Sequence, residues 1–335
     1  MERFVILFLC VFLIGCSATI PEKQSINGVS FVASKEAINQ KHIEPVLNIN
    51  ANYASVMPFA FIRNLNSPEV IYNSDRQWYG ETLKGAKQYI EQLQNNNIKI
   101  MLKPQIWVWR GEFTGIIEMK SEKEWKILED SYLRYILDYA KLAEELNVEI
   151  YCVGTELNKF VFKRPDFWQQ LINEVKSVYK GKLTYAENWD SYVNVPFWDQ
   201  LDFIGIDAYF PLSYEKQPSE EALIEGWEPH KIKMQLFSKR LNKLVLFTEY
   251  GYRSIDYSAK EPWNSSREND QVNLEAQSVA LKVLYEQFWN EDWFAGGFLW
   301  KWHHDHEKGG GKNNSRFTPQ NKPAEAVVKK YYLNY

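Results

Sequence analysis

The chain has 335 residues, of which 45% are hydrophobic and 16% aromatic, with 13 Trp and 20 Tyr. This is long for an ordinary domain but normal for one α/β barrel, and the apolar content can fill a large core. The net charge is -4, and the sequence has neither a basic tract nor a phosphate-binding glycine loop of the Walker type, which argues against nucleic acid as a partner.

The N-terminus has the pattern of an export signal. Arg3 precedes an apolar stretch over residues 4–14, which is shorter than the roughly 20 residues that span a bilayer. The stretch ends in Leu13-Ile14-Gly15-Cys16, which resembles a bacterial lipobox, the motif in which the cysteine is lipidated and becomes the first mature residue. The alternative is a plain signal peptide with an unrelated cysteine.

The predicted organisation is a lipoprotein signal peptide over residues 1–15, a tether over 16–25 and one folded domain over 26–335. Such a protein is exported and held by lipid at the bacterial cell envelope, in the outer membrane or at the cell surface. With Cys10 in the leader and Cys16 lipidated, only Cys152 remains, so we expect no internal disulfide.

Eight segments have the pattern of strands buried on both faces, because they are short, β-branched or aromatic, and continuously apolar. They are residues 28–33, 53–61, 99–107, 149–154, 183–187, 203–208, 244–248 and 296–300. Helical spacing of apolar residues recurs between them, in residues 80–95, 122–146, 164–179, 275–289 and 323–332. The alternation predicts an α/β fold, a single (β/α)8 TIM barrel.

Three long irregular segments, residues 210–227, 253–270 and 301–322, each follow a predicted strand. In a parallel barrel the segments that follow strands lie on one face, so we expect these three to gather there and shape a binding cleft.

Two glutamates end apolar strands in matching ways, each preceded by Thr. Glu156 closes the run over residues 148–155, and Glu249 closes the run over residues 243–248. Catalytic side chains of parallel barrels project from these C-terminal strand ends, and two carboxylates that face one sugar ring are the catalytic groups of a glycoside hydrolase. The alternative for each glutamate alone is a salt-bridged loop residue.

Glycoside cleavage needs one protonated and one ionised carboxyl group, so the two environments must differ. We expect Arg63, after the second strand, and Tyr209, after the sixth, to hold Glu249 as a carboxylate nucleophile. Glu156 has no adjacent cation, and a dry setting would raise its pKa and suit a general acid and base.

Several segments resemble a known family. They are Val153-Gly154-Thr155-Glu156-Leu157, Phe247-Thr248-Glu249-Tyr250-Gly251-Tyr252, Leu102-Lys103-Pro104-Gln105-Ile106-Trp107, Ile204-Gly205-Ile206-Asp207-Ala208-Tyr209-Phe210-Pro211 and Phe317-Thr318-Pro319-Gln320-Asn321-Lys322-Pro323-Ala324. From about Ile26 to the C-terminus the chain resembles the retaining (β/α)8 glycoside hydrolases of clan A, and within them most resembles family 113, the β-mannanases. The resemblance implies Glu156 as acid/base and Glu249 as nucleophile.

Two positions depart from the clan pattern. Thr155 stands where many relatives have an Asn that contacts the sugar 2-hydroxyl, and Gln105 stands where a His is expected. Mannose carries an axial 2-hydroxyl, so a shorter side chain at position 155 fits a changed demand there.

Further residues near predicted strand ends are candidates for substrate binding, each with a structural role as the alternative. By resemblance, Trp300 forms the floor beneath the reacting sugar. Aromatic rings could stack on further sugars, and polar groups at strand ends could meet sugar hydroxyls. These candidates are Trp107, Trp109 and Trp189 for stacking, and Lys103, Asn158 and Asn188 for hydroxyl contacts.

We expect no cofactor and no catalytic metal. The run His303-His304-Asp305-His306 invites a metal site, but adjacent histidines on a loop give poor tetrahedral geometry. A histidine contact with sugar is the favoured interpretation.

The function predicted from the sequence is a retaining, endo-acting glycoside hydrolase that cleaves β-1,4-mannan-type polysaccharide by double displacement. Two alternatives stay open: the same chemistry on another β-linked glycan, and a non-catalytic surface lipoprotein that binds glycans. The second would be expected to have lost one carboxylate. The expected partners are a polysaccharide or oligosaccharide and the membrane, and the protein is expected to be a monomer.

Overall fold

The computed structural model describes residues 25–266 and 271–335. Its strands are β1 (Ile26–Phe31), β2 (Tyr53–Val56), β3 (Phe59–Ile62), β4 (Lys99–Leu102), β5 (Gln105–Val108), β6 (Ile150–Thr155), β7 (Lys182–Asn188), β8 (Phe203–Asp207), β9 (Leu244–Tyr250) and β10 (Phe294–Trp302). Its α-helices are α1 (Gln40–Asn48), α2 (Leu83–Gln94), α3 (Glu122–Glu145), α4 (Asn158–Lys163), α5 (Pro165–Val178), α6 (Glu220–Leu241), α7 (Leu274–Phe288) and α8 (Pro323–Asn334).

Eight of these strands form a closed barrel in the order β1-β10-β9-β8-β7-β6-β4-β2. Every neighbouring pair is parallel, including β1 with β10 and β1 with β2, which closes the ring. Parallel neighbours need crossover connections, and helices supply them along most of the chain. The predicted single (β/α)8 barrel is therefore confirmed.

The second and third predicted strands are each divided in two by a proline. Pro58 separates β2 from β3, and Pro104 separates β4 from β5. Proline has no N–H to donate to a sheet, so each strand breaks there. The outer halves leave the barrel and pair with each other, Phe59 opposite Gln105 through Ile62 opposite Val108, as a small parallel sheet above the barrel rim. The prediction of two uninterrupted strands was wrong for this reason.

The barrel interior holds its own apolar cluster, separate from the layer between strands and helices. Six strands contribute to it: its members are Ile26, Met101, Ile150, Phe203, Leu246, Ala295 and Phe298. Such a cluster fills the barrel with side chains, as expected for eight strands. The polar groups described below are therefore confined to the other end of the barrel.

One glycine explains where the last strand begins. Gly296 has a φ of +111°, and a Cβ there would lie 2.3 Å from the Ile26 carbonyl oxygen. The pairing of β10 with β9 shifts register between Phe294 and Gly296. Glycine permits this local irregularity, so β10 runs from Phe294 to Trp302 and is longer than the predicted 296–300.

Three helices, α1, α4 and α6, were not predicted from apolar spacing. Helix α6 begins inside the predicted irregular segment 210–227, where the Ser219 hydroxyl accepts a hydrogen bond from the Ala222 N–H at 3.2 Å and Glu220 and Glu221 occupy the first turn. A capping serine followed by acidic residues is a helix-start signal. The short helix α4 begins at Asn158, two residues after Glu156.

The three long segments that follow β8, β9 and β10 do come together. Leu212 donates from its backbone to the Ala259 carbonyl at 2.8 Å, which joins the first two. The Lys322 Nζ donates to the Ser254 hydroxyl at 2.9 Å, which joins the last two. They gather at the barrel end where the strands finish, although the walls of the cleft come mainly from other connections.

The predicted leader, most of the tether and the lipidation site Cys16 lie outside the described residues. Within the described part, no helix combines the length and apolar character needed to cross a bilayer. Cys152 is buried in β6 as a free thiol, and burial raises its pKa to about 11.

Candidate active site

A cleft of about 670 Å³ opens at the C-terminal ends of the barrel strands. Glu156, one residue after β6, and Glu249, within β9, both line it. Both carboxyl groups therefore face one cavity, as the two Thr-Glu strand ends predicted. The other lining residues used below are Trp78, Gln105, Trp107, Phe113, Thr155, Asp207, Trp300 and Lys301.

Three hydrogen-bond donors hold the carboxylate of Glu249. Its Oε1 accepts from the Lys103 Nζ at 2.6 Å and from the Gln105 Nε2 at 3.2 Å, and its Oε2 accepts from the Tyr209 hydroxyl at 2.8 Å. Burial and the charge of Glu249 raise the pKa of Tyr209 well above its usual range, so the phenol keeps its proton and donates it. Hydrogen bonds to the charged form favour that form, so Glu249 is set up as an anion.

Lys103 is shared between Glu249 and a second buried carboxylate, Asp207. The Lys103 Nζ lies 3.1 Å from the Asp207 Oδ1, and the Thr248 hydroxyl donates to the same oxygen at 2.7 Å. Burial alone lowers the pKa of Lys103, but the charges of Asp207 and Glu249 outweigh it and raise that pKa above its ordinary value. Lys103 is therefore a fixed cation between two acids.

The pKa of Asp207 is raised in this crowded cluster of charges. Burial and the nearby charge of Glu249 raise the pKa of Asp207 to about 7, although Lys103 and the Thr248 hydroxyl pull it down. Two carboxylates therefore share one ammonium group, and the negative charge of Glu249 favours the protonated form of Asp207.

Two predicted roles need correction here. Arg63 was expected to be the cation beside Glu249, but it is exposed, one residue beyond β3, and is not among the partners of Glu249. Arg63 follows β3, which has left the barrel after Pro58 and pairs with β5 instead of with a barrel strand. Lys103 was expected to meet a sugar hydroxyl, but its side chain is 0% exposed and supplies the cation instead. The predicted Tyr209 contact is present in the structure.

Glu156 sits in the opposite electrostatic setting. Burial raises its pKa well above the ordinary value, and the negative charges of Asp207 and Glu249 raise it further, while the charge of Lys103 opposes them. The direction matches the environment expected from the sequence. The protonated form of Glu156 is therefore favoured, whereas Glu249 in the same cleft is surrounded by three hydrogen-bond donors. An acid and a nucleophile require such a difference in environment.

The backbone of Glu156 is held in an uncommon conformation. Its φ is +51°, in the left-handed region, which costs a non-glycine residue roughly 1–2 kcal/mol. The surrounding chain fixes it: the Glu156 N–H donates to the Ala186 carbonyl at 2.8 Å, and the Leu157 N–H donates to the Tyr185 hydroxyl at 2.8 Å. Such conformations persist where neighbours over-determine them, often at active sites.

Aromatic side chains form the walls of the cleft. Trp300, near the end of β10, lines it beside Lys301, whose Nζ lies 5.4 Å from the Trp300 ring centroid. Trp107 is 47% exposed, as are Trp78 at 46% and Phe113 at 47%. Flat, exposed rings in a cleft suit the apolar faces of sugars. The stacking role of Trp107 and the floor role of Trp300 stay predictions, and Trp78 and Phe113 were not singled out in the sequence.

The remaining candidates lie at the rim. Asn158 is the first residue of α4, two positions after Glu156. Asn188 ends β7, and its Oδ1 accepts from the Trp189 N–H at 3.0 Å. Trp109 is 67% exposed beyond β5. None of these three lines the cleft as the described residues define it, and their contacts with substrate stay predictions.

Two buried carboxylates, Asp207 and Glu187, were not predicted from the sequence. Each ends an apolar barrel strand or lies one residue before its end, which is the signal that identified Glu156 and Glu249. Burial raises the pKa of Glu187, whose Oε2 is buried without a hydrogen-bond partner among the described residues. Its charge adds to those that raise the pKa of Glu156.

The histidines of the run 303–306 point to different partners. The His306 Nε2 lies 2.8 Å from the Glu325 Oε1, and the His304 ring packs edge-on against His42 with centroids 5.2 Å apart. Burial lowers the pKa of His303 to about 4. In residues 25–266 and 271–335 no three His, Cys, Asp or Glu side chains cluster in a way that could hold a metal ion.

The chain matches the family model described as Glycoside Hydrolase Family 113 over residues 32–322. A comparison with curated proteins found no match.

Solved structures agree with the family match. A family 113 β-1,4-mannanase has a TM-score of 0.80 at 26% identity, with 93% of this chain and 100% of that chain covered. The family 113 β-mannanase of Alicyclobacillus acidocaldarius has a TM-score of 0.78 at 22% identity, covering 92% and 97%. A β-glucuronidase of Faecalibacterium prausnitzii shares the fold at a TM-score of 0.61 and 14% identity, covering 93% of this chain and 49% of its own.

Replacing Lys103 with Met should destabilise the fold, because it leaves Asp207 and Glu249 buried without their cation. Breaking a buried ion pair from one side costs about 3–5 kcal/mol, so thermal or denaturant unfolding should show a large loss. The control is Lys126→Met, which removes the exposed pair with Asp130 and should leave the unfolding transition nearly unchanged. Equal effects of the two changes would contradict the role given to Lys103.

Proposed function

Because this chain belongs to glycoside hydrolase family 113 and is a glycoside hydrolase, we propose that it cleaves β-1,4-mannan-type polysaccharide within the chain and with retention. The observation that carries the proposal is the placement of Glu156 and Glu249 on one cleft in opposite electrostatic settings. The similarity to β-1,4-mannanases supports the substrate class. Both carboxyl groups are present, which argues against a purely binding role.

In the first step, the Glu249 carboxylate would attack the anomeric carbon while the bond between that carbon and the leaving oxygen breaks. The proton of Glu156 passes to that oxygen, which leaves as the hydroxyl of the released sugar chain. The donors Lys103, Gln105 and Tyr209 hold Glu249 as an anion and orient it before the reaction.

In the second step, the ionised Glu156 would take a proton from water, whose oxygen attacks the anomeric carbon and frees Glu249. Two displacements restore the original configuration at the anomeric carbon. Retaining enzymes in general hold their two carboxyl groups about 5–5.5 Å apart.

The electrostatics of the site support this change of role for Glu156. The charge of Glu249 is one of the causes that raise the pKa of Glu156. When Glu249 becomes an ester it loses that charge, so the pKa of Glu156 should fall and favour its ionised, basic form. The charge on Lys103 is then balanced by Asp207, whose own pKa should fall for the same reason.

A panel of polysaccharides tests the substrate. We expect linear mannan, galactomannan and glucomannan to give shorter oligosaccharides of mixed length, as cleavage within the chain requires, and to do so far faster than a β-glucan. Sizing of products over time measures this. Faster cleavage of the glucan would show that the substrate is a glucan and not mannan. Binding of mannan without release of reducing ends would show that the protein binds glycans without cleaving them.

Single substitutions of the two carboxyl groups should separate their roles. Glu249→Ala should abolish turnover on every substrate, with partial recovery when azide is added as an external nucleophile. Glu156→Ala should lower kcat/KM about 10²–10⁴-fold on mannan but much less on an aryl mannoside whose leaving group needs no proton, because kcat/KM reports only the steps up to formation of the glycosyl-enzyme. Kinetics on both substrates measure the contrast.

The control for these variants is Glu228→Ala, which removes an exposed carboxylate on α6. It should keep full activity, and all three variants should melt cooperatively. Turnover by Glu249→Ala without azide, or equal losses of Glu156→Ala on both substrates, would refute the assigned roles.

We also propose that the protein is exported and anchored to the bacterial cell envelope by lipid on Cys16, because the N-terminal segment has the charge, length and final tetrapeptide of a lipoprotein signal. Cells fed an alkyne fatty acid should label the wild-type protein but not a Cys16→Ser variant. Equal labelling of the two would refute the anchor.

A further inference from the structure

The two catalytic carboxyl groups divide the barrel rim into two arcs. Glu156 follows β6 and Glu249 lies in β9. In the ring order, one arc between these strands contains β10, β1, β2 and β4, and the other contains β8 and β7. The sugar chain crosses the line that joins the two carboxyl groups. A glycosidic bond held between these groups therefore has one sugar over each arc.

The cleft described above occupies the first arc. Apart from the site residues Thr155, Glu156, Asp207 and Glu249, its lining comes from residues 32–114 and 300–301. These lie just after β1, in or around β3 and β5, and near the end of β10. Trp300, which the family resemblance places beneath the reacting sugar, lines the cleft on this arc. The sugar that becomes bonded to Glu249 therefore lies here and stays in place while the other part of the substrate departs. The second arc is therefore the side of the leaving group.

A pair of stacked indoles stands on the second arc. Trp189 follows β7 directly, and Trp263 lies in the segment after β9. Their ring centroids are 5.2 Å apart and their planes meet at 22°. Trp189 is backed by Phe210, just beyond β8, at 5.8 Å between centroids. The pair thus rests on the ends of both strands that form this arc.

The segment that carries Trp263 is tied down on both sides. The Leu212 N–H donates to the Ala259 carbonyl at 2.8 Å before Trp263, and the Arg253 Nη1 donates to the Ser266 carbonyl at 2.8 Å after it. The ring is therefore presented by a braced backbone.

Packing alone does not account for Trp263. The indoles that serve the core, Trp168 and Trp227, are each 0% exposed, whereas Trp263 is 44% exposed. One of its faces is covered by Trp189, and much of the remaining ring surface meets solvent at the rim. An exposed indole leaves apolar surface in water, and covering that surface is favourable in free energy. The apolar face of a sugar is well matched to cover it.

We propose that Trp263, supported by Trp189, is a stacking platform for a sugar on the leaving-group side of the scissile bond. This inference rests on the proposed function and adds to it a second aromatic subsite, on the opposite side of the carboxyl groups from Trp107 and Trp78. Trp263 acts as a specificity residue here, because it selects substrates long enough to reach across both arcs.

The test compares two substrates that differ only beyond the scissile bond. One is a long manno-oligosaccharide, and the other is a manno-oligosaccharyl fluoride, whose leaving group carries no sugar. Trp263→Ala should lower kcat/KM on the oligosaccharide about tenfold more than on the fluoride, as loss of a contact of about 1.4 kcal/mol predicts, and Trp263→Phe should recover most of that ratio. Phe162→Ala, which removes a 76% exposed ring on α4, should leave the ratio unchanged.

Equal losses on both substrates would show that Trp263 only supports the fold and would overturn the platform, as would no loss on the oligosaccharide. If the wild-type protein cleaves neither substrate, the proposed function fails and calorimetry decides the platform separately. Manno- and gluco-oligosaccharides would be titrated into Glu249→Ala with and without Trp263→Ala. Binding weakened by the second change supports the platform, and unchanged or absent binding overturns it.

Discussion

A single buried ammonium group governs the chemistry of this barrel. The Lys103 Nζ lies between the carboxylates of Glu249, at 2.6 Å, and Asp207, at 3.1 Å, and its side chain is fully buried. Two carboxylates placed this close would repel each other in a medium of low dielectric constant. Lys103 lies between them and balances this repulsion. Burial, together with the charges of Asp207 and Glu249, raises the pKa of Glu156 in the same cleft.

The barrel explains why these groups meet. Lys103 directly follows β4, Glu156 follows β6, Asp207 ends β8 and Glu249 lies in β9. All these strands are parallel, so their C-terminal ends share one rim. The apolar cluster that fills the lower barrel leaves no room for charge there, so the polar groups are concentrated at the open end, where substrate can reach them.

The same geometry gives the cleft two unlike halves. The small sheet of β3 and β5, which exists because Pro58 and Pro104 turn the chain out of the barrel, raises a wall over one arc and carries Trp107. The opposite arc has no such sheet in the described part of the chain, and a braced loop presents Trp263 there instead. The two halves can therefore hold the two sides of one scissile bond by different means.

Strand ends were the most informative signal in the sequence. They identified Glu156 and Glu249 correctly as residues of one cleft, and Tyr209 as a donor to Glu249. The same rule applied without exception would also have marked Asp207 and Glu187. The rule failed for Arg63 because it assumed that residues 53–61 form one straight strand, and a proline break changes the direction in which everything after it points.

The sequence by itself determined the eight barrel strands in outline, five of the helices, the parallel barrel and the two acidic strand ends, because these follow from local apolar patterns and from the few ways in which such elements can close. Only the tertiary structure decided that Lys103 is a buried counterion, that Glu156 adopts a positive φ and that Trp189 stacks on Trp263. Each of these depends on side chains from strands or loops far apart in the chain, whose distances and shared burial no local pattern specifies.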